Sequence, residues 1–240
     1  MLNLKNLFKP KQEKSIADLM KPIGDLEKKE KPIVYDLKKT LTDYLKKNHS
    51  VKVSKEIIMF GIRGATPNES GRLIENSQKF NRYDDTIGVF NQDFILTYTG
   101  TVEPGKKYTV NPMNVNGAFY LKNGLYQACR AKHFGNDAFN IYSKYHKGRV
   151  EGYRDISRKG QPDKSRIFYD GTGIDIHAGG ENIENIDGWS AGCQVLLNNW
   201  KSKQWNEFYK SSFAVPSQKM FLYLLVDYSD IKDNYEGGKK

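Results

Sequence analysis

Gly173-Ile174-Asp175-Ile176-His177-Ala178-Gly179-Gly180 and, after a polar loop, Asp187-Gly188-Trp189-Ser190-Ala191-Gly192-Cys193-Gln194-Val195-Leu196 are the two stretches from which the rest of the chain is read. The first is strand-like: Ile174 and Ile176 fall on one face, directed at a core, while Asp175 and His177 fall on the other. On this reading His177 is presented rather than buried. The cysteine follows the histidine by 16 residues, a spacing that suits a hairpin-like return bringing imidazole and thiol together. A free thiol is mostly protonated at neutral pH, and an adjacent imidazole that takes its proton turns it into a nucleophile. Gly179 and Gly180 permit a turn after the histidine, and Gly192 permits close backbone approach before the thiol. Backbone N–H groups around Gly192 and Cys193, in the loop that begins at Ser190, are placed to form an oxyanion hole. The plainer reading stands beside this one, because an isolated His and an isolated Cys are each often structural.

The order Ile176-His177 and then Ser190-x-Gly192-Cys193 resembles the active-site signature of the L,D-transpeptidase (YkuD-type) catalytic domain. The resemblance implies that His177 is the general base and that Cys193 attacks the carbonyl of a peptidoglycan stem peptide. Two positions depart from the family pattern. Ala191 stands where a second histidine is usual, and Val195 stands where an arginine or asparagine is usual. A wider likeness spans roughly residues 60 to 200. It includes Asp84-Asp85-Thr86, Asn111-Pro112-Met113-Asn114, Gly124-x-Tyr126, His133, Tyr153-Arg154-Asp155 and Trp189-Ser190-Ala191-Gly192-Cys193-Gln194-Val195. It is similar to a group of uncharacterised phage and bacterial proteins that carry the Trp-Ser-Ala-Gly-Cys-Gln-Val box after an Ile-His strand. In that group alanine at position 191 is ordinary.

Composition bounds the remaining possibilities. The 240 residues suffice for one large domain with an appendage, and 15 Tyr and 12 Phe supply packing to an otherwise polar chain. No run approaches the about 20 apolar residues of a membrane span, and the start has no apolar core of the kind a Sec signal needs. Synthesis in the cytoplasm is expected, with action at the cell wall or carriage in a phage particle. Two cysteines, Cys129 and Cys193, are too few for a disulfide framework, and no spacing suggests a metal. Neither a cofactor nor a metal is expected. Cys129 is read as a core residue. Half of the net charge of +10 lies in residues 1–50, where twelve lysines face seven acids. No nucleic-acid-binding motif accompanies it, so no specific nucleic-acid partner is expected; a cationic surface suits the anionic envelope equally well.

The expected organisation is a lysine-rich helical arm over 1–50, a catalytic domain over 51–230 and a polar tail over 231–240. Pro10, Pro22 and Pro32 interrupt the arm, and Leu37, Leu41, Tyr44 and Leu45 recur at helical spacing after them. Strands are expected over 56–62, 86–90, 93–99, 118–121, 125–131, 149–156, 166–169 and 219–226, with a helix over 198–211. The fold class is α+β, mainly β, a YkuD-like sheet-rich sandwich or barrel with a helix after the cysteine.

Two functions follow. One is a peptidoglycan-active cysteine enzyme, a transpeptidase or stem-peptide hydrolase, with Cys193 and His177 catalytic. Asp175 or a backbone carbonyl would orient His177, and Tyr126, His133, Arg154 and Trp189 would contact substrate. Tyr126 and Arg154 have a structural reading too, as a core residue and as the partner of an acid. The other function is a non-catalytic structural or wall-binding component of a phage particle, assembling with other copies or virion proteins through the arm.

Overall fold

Hydrogen-bonded pairing of eight strands closes the sheet on itself, with apolar side chains turned inward. A computed structural model describes residues 35–181 and 184–237. The chain forms α1 (Leu37–His49), β1 (Ile58–Arg63), β2 (Ala65–Pro67), β3 (Leu73–Glu75), β4 (Asp85–Phe90), β5 (Ile95–Thr101) and α2 (Lys106–Val110). It continues with β6 (Ala118–Leu121), β7 (Gly124–His133), β8 (Asn136–Tyr142), β9 (Val150–Asp155), β10 (Asp163–Gly171) and β11 (Ile174–Ala178). The last elements are β12 (Gln194–Leu196), α3 (Lys203–Ser211), β13 (Met220–Asp227) and α4 (Tyr228–Tyr235).

Eight strands make a closed barrel in the order β1-β13-β7-β8-β11-β12-β5-β4, and β10-β9-β6 form a separate three-stranded sheet. Closure leaves no unpaired edge around the barrel. Its interior is filled by side chains such as Met59, Ile87, Phe139, Ile176, Phe221 and Tyr223. The helix after the cysteine, α3, adds Trp205 and Phe208 to the same cluster. Phe208 meets Tyr98 and Phe139 edge-on at 6.1 and 5.8 Å between ring centres, an arrangement aromatic quadrupoles favour.

A second apolar cluster lies on the outer face of β1 and β13. Ile58, Phe60, Ile62, Leu224 and Val226 are covered there by α1 and α4. Because both faces of these strands are buried, they read as continuous apolar runs rather than as alternating ones.

This packing moves two expected boundaries. The compact fold includes α1 rather than beginning near residue 51, because Leu41 and Leu45 of α1 are completely buried against the barrel. Residues 1–34, with Pro10, Pro22 and Pro32, lie outside the described residues, and so does that part of the expected arm. The expected polar tail is helical as far as Tyr235, since α4 buries Tyr228, Ile231 and Tyr235. Among the described residues no helix is long and apolar enough to cross a membrane.

Replacing Leu41 with Ala leaves a cavity between α1 and the barrel wall, which in buried leucine positions costs about 2 to 5 kcal/mol. Urea unfolding of the Leu41→Ala protein is therefore expected to show a loss in that range, and a loss under 1 kcal/mol would place α1 outside the cooperative fold.

Candidate functional site

Four adjacent strands, β7, β8, β11 and β12, carry the site on the outer face of the barrel. β7 and β8 are joined through Phe134 and Gly135, with His133 opposite Asn136. Both loop residues have positive φ, 47° and 84°, as a tight two-residue hairpin turn requires. His133 therefore ends its strand at the lip of the barrel. Across the next strands the register sets Cys129 opposite Asn140 and Asn140 opposite Asp175. In β11, Ile174, Ile176 and Ala178 face the interior, and Asp175 and His177 fall on the other face, as the alternation predicts.

The pairing of β11 with β12 differs from the expected hairpin. The two strands run parallel, with Ile176 beside Gln194 and His177 beside Val195, so the loop 179–193 must cross back along the barrel before the cysteine. His133 and Trp200 lie against the faces of the histidine ring. His177 is 1% exposed and Asp175 7%, contrary to the presented histidine expected from β11 alone.

His177 Nδ1 lies 2.7 Å from the carbonyl oxygen of Ala178. A carbonyl only accepts, so Nδ1 carries the proton and Nε2 keeps its lone pair. That Nε2 atom is buried with no hydrogen-bond partner. His133 Nδ1 lies 2.8 Å from Asp175 Oδ2, and Asn140 Nδ2 donates to Asp175 Oδ1 at 2.8 Å. The orienting group of His177 is thus a backbone carbonyl, and Asp175 orients His133 instead. The two imidazoles stack, with centroids 4.0 Å apart and planes 11° from parallel, and Trp200 lies near-parallel to His177 at 5.9 Å. The Cys193 sulfur and one ring nitrogen of each histidine all lie within 4.8 Å of one another.

Cys193 is 6% exposed. Its S–H donates to the Gly173 carbonyl at 3.5 Å, and the Asp175 N–H points at the sulfur, also at 3.5 Å. Burial pushes the thiol up to about 12, and the Asp175 N–H offsets only part of this. Burial also holds His177 down to about 4, with neighbouring His133 adding to the effect. Both shifts favour neutral groups. At rest the site is a thiol beside two imidazoles rather than a thiolate–imidazolium pair.

The loop before the cysteine is fixed by its own polar groups. Ser190 Oγ donates to the Cys193 carbonyl at 2.8 Å and accepts from the Gly192 N–H at 3.1 Å. The Gly192 N–H is therefore engaged and does not form the expected oxyanion hole, and Ser190 is a brace. Gly192 has φ +134° and a Cβ there would run into the Phe119 carbonyl, so no other residue fits. From inside the barrel, Gln194 Nε2 donates to the Gly192 carbonyl at 3.2 Å while its Oε1 accepts from the Tyr223 hydroxyl at 2.7 Å. Trp189 is 40% exposed and approaches Trp200 at 6.3 Å.

Two expected substrate contacts are structural. Tyr126 is buried and its hydroxyl donates to the Lys122 carbonyl at 2.7 Å. Arg154 is buried in β9, donating to the Gly117 carbonyl at 2.7 Å and to Asp170 at 3.0 Å. Cys129 is half-buried beside Asn140 rather than in the core, and both cysteines are free. Asn140, Gln194 and Trp200 were not expected at the site. The box around Cys193 held a signal for one of them, a glutamine in an otherwise apolar three-residue run.

Neither a family model nor a characterised protein nor a solved structure matches this chain. The trio of His133, His177 and Cys193 has the donor types of a zinc site, but its geometry does not fit one. Imidazole lone pairs lie in the ring plane, and two parallel rings 4.0 Å apart cannot both aim them at an ion about 2.1 Å away. A cavity of about 430 Å³ lined by residues including Arg63, Phe80, Glu103, Tyr120 and Asp227 includes none of the trio.

Because the folded state holds His177 below its ordinary value of 6.5, at about 4, the unfolded chain takes up a proton first as pH falls. Stability from this group is fully present above about pH 6.5 and is lost as pH falls toward 4, by about 3 kcal/mol in all. Urea unfolding between pH 4 and 7 should show this slope, and His177→Asn should flatten it.

Proposed function

We propose that the chain is a cysteine acyl-transferase or hydrolase acting on peptidoglycan stem peptides through a thioester on Cys193. The observation that carries this reading is the convergence of one thiol with two imidazoles, each with its Nδ1 held by a fixed acceptor so that Nε2 remains as the basic atom. A base next to a thiol is the minimum that nucleophilic acyl chemistry requires. The resemblance of Ile176-His177 and Ser190-x-Gly192-Cys193 to the L,D-transpeptidase signature supports peptidoglycan as substrate and a YkuD-like fold for the barrel. It assigns the base to His177. An amine acceptor would give transpeptidation and water would give hydrolysis. Access to the wall would come through lysis or a phage particle, with residues 1–34 as the segment available for assembly.

One observation favours the second reading, a wall-binding or virion protein without turnover. The thiol is almost fully enclosed and donates to a backbone carbonyl, as a structural cysteine does.

The two readings separate on purified sacculi analysed by mass spectrometry of their muropeptides. The enzyme reading expects new cross-links or shortened stems with the intact protein and none with Cys193→Ala or Cys193→Ser. The binding reading expects unchanged muropeptides and retained co-sedimentation in all three proteins.

A further inference from the structure

His133 and His177 are unequal partners for the thiol, and the difference lies in what each could do with a proton. A base that accepts a proton in an enclosed site becomes a buried cation, which is costly unless an anion faces it. His177 has the Ala178 carbonyl on Nδ1, aromatic rings of His133 and Trp200 beside it, and no carboxylate hydrogen-bonded to it, so Asp175 acts on it only at a distance. His133 has the Asp175 carboxylate on Nδ1 at 2.8 Å, and that carboxylate is locked from its other oxygen by Asn140. This is the arrangement of a nucleophile–histidine–carboxylate triad, in which the acid fixes the tautomer and stabilises the imidazolium. His133 also reaches the surface, since its side chain is 18% exposed, whereas His177 is sealed.

Resting on the acyl-transfer reading above, we infer that His133 is the general base for Cys193, that Asp175 and Asn140 position it, and that His177 stays neutral. In the first half-reaction the Cys193 S–H proton moves to His133 Nε2 and the sulfur bonds to the peptide carbonyl carbon. The C–N bond then breaks, and the departing amine takes the proton from the imidazolium. In the second half-reaction water or an acceptor amine gives its proton to His133 and attacks the thioester. The C–S bond breaks and the thiol recovers the proton. Ala191, where the resemblance has its second histidine, is thereby matched by an imidazole supplied from β7.

The test is the rate of Cys193 alkylation by iodoacetamide against pH, read by mass spectrometry at that peptide, for the intact chain and for His133→Gln, Asp175→Asn and His177→Asn. General-base assistance is worth about 10² to 10⁴-fold. His133→Gln should therefore slow alkylation at pH 7 by about 100-fold and move the profile's midpoint upward. Asp175→Asn, which keeps the shape of the side chain, should move the midpoint in the same direction by less. His177→Asn should change the rate without moving the midpoint. A midpoint that follows His177 and ignores both His133 and Asp175 would overturn the assignment. Muropeptide analysis of the same proteins keeps the two readings apart. A midpoint governed by His133 in a protein that leaves sacculi unchanged upholds the base and rejects peptidoglycan as its substrate.

Discussion

The stack of His133 on His177 is the contact on which the chemistry of this barrel depends. Two imidazoles in van der Waals contact in an enclosed place do not both carry charge, and neither shares a metal ion while their planes are parallel. The arrangement leaves a buried thiol beside two imidazoles, of which burial keeps His177 neutral. Burial holds the Cys193 thiol up at about 12 and His177 down at about 4, so passing the proton between them in the resting enclosure is uphill. His133, with a carboxylate on its Nδ1, is better placed to carry a charge.

The barrel makes this contact possible by register rather than by loop length. Asp175 and His177 are two residues apart on one strand face, too far along β11 for one to orient the other's Nδ1. The next strand but one, β7, runs on past both to His133, opposite Asn136, and the His133 ring reaches back to Asp175. Between them β8 contributes Asn140 opposite Asp175. Asn140 and Asp175 lie in one side-chain row that Cys129 completes on β7, and His133, further along that strand, reaches the same carboxylate. The thiol enters from the fourth strand through a loop whose shape is held by Ser190 outside and by Gln194 with Tyr223 inside.

Much of the fold was legible because its strands obey simple patterns. β4, β6, β9 and β13 lie where apolar runs bounded by Gly, Asn and Pro place them, and α3 follows from its aromatic spacing. β8 was not legible: Asn136-Asp137-Ala138-Phe139-Asn140-Ile141-Tyr142 alternates, but its outward residues are a mixture that reads equally as a turn. The parallel pairing of β11 and β12 was hidden for a different reason. A loop of that length can return as a hairpin or cross over, and only the closure of the barrel between β8 and β5 decides it. At the site, the nearness of His177 and Cys193 was readable from Ile-His and Gly-Cys, whereas the partner of Asp175 was not. Strand register sets that contact, and register is a property of the whole sheet.

The Nε2 of His177 is buried and has no hydrogen-bond partner in the protein. A buried acceptor without a donor costs about 1 to 3 kcal/mol, and nothing in β11 forces that cost, since an apolar residue beside Ala178 would fill the same space. The atom cannot be matched by His133, because stacked rings direct their lone pairs and N–H bonds sideways and not at each other. It cannot be matched by the resting thiol, whose proton is directed at Gly173. A water molecule or another N–H or O–H group would satisfy it. On the proposed acyl-transfer reading, His177 stays a neutral acceptor while His133 with Asp175 is the group able to carry a positive charge.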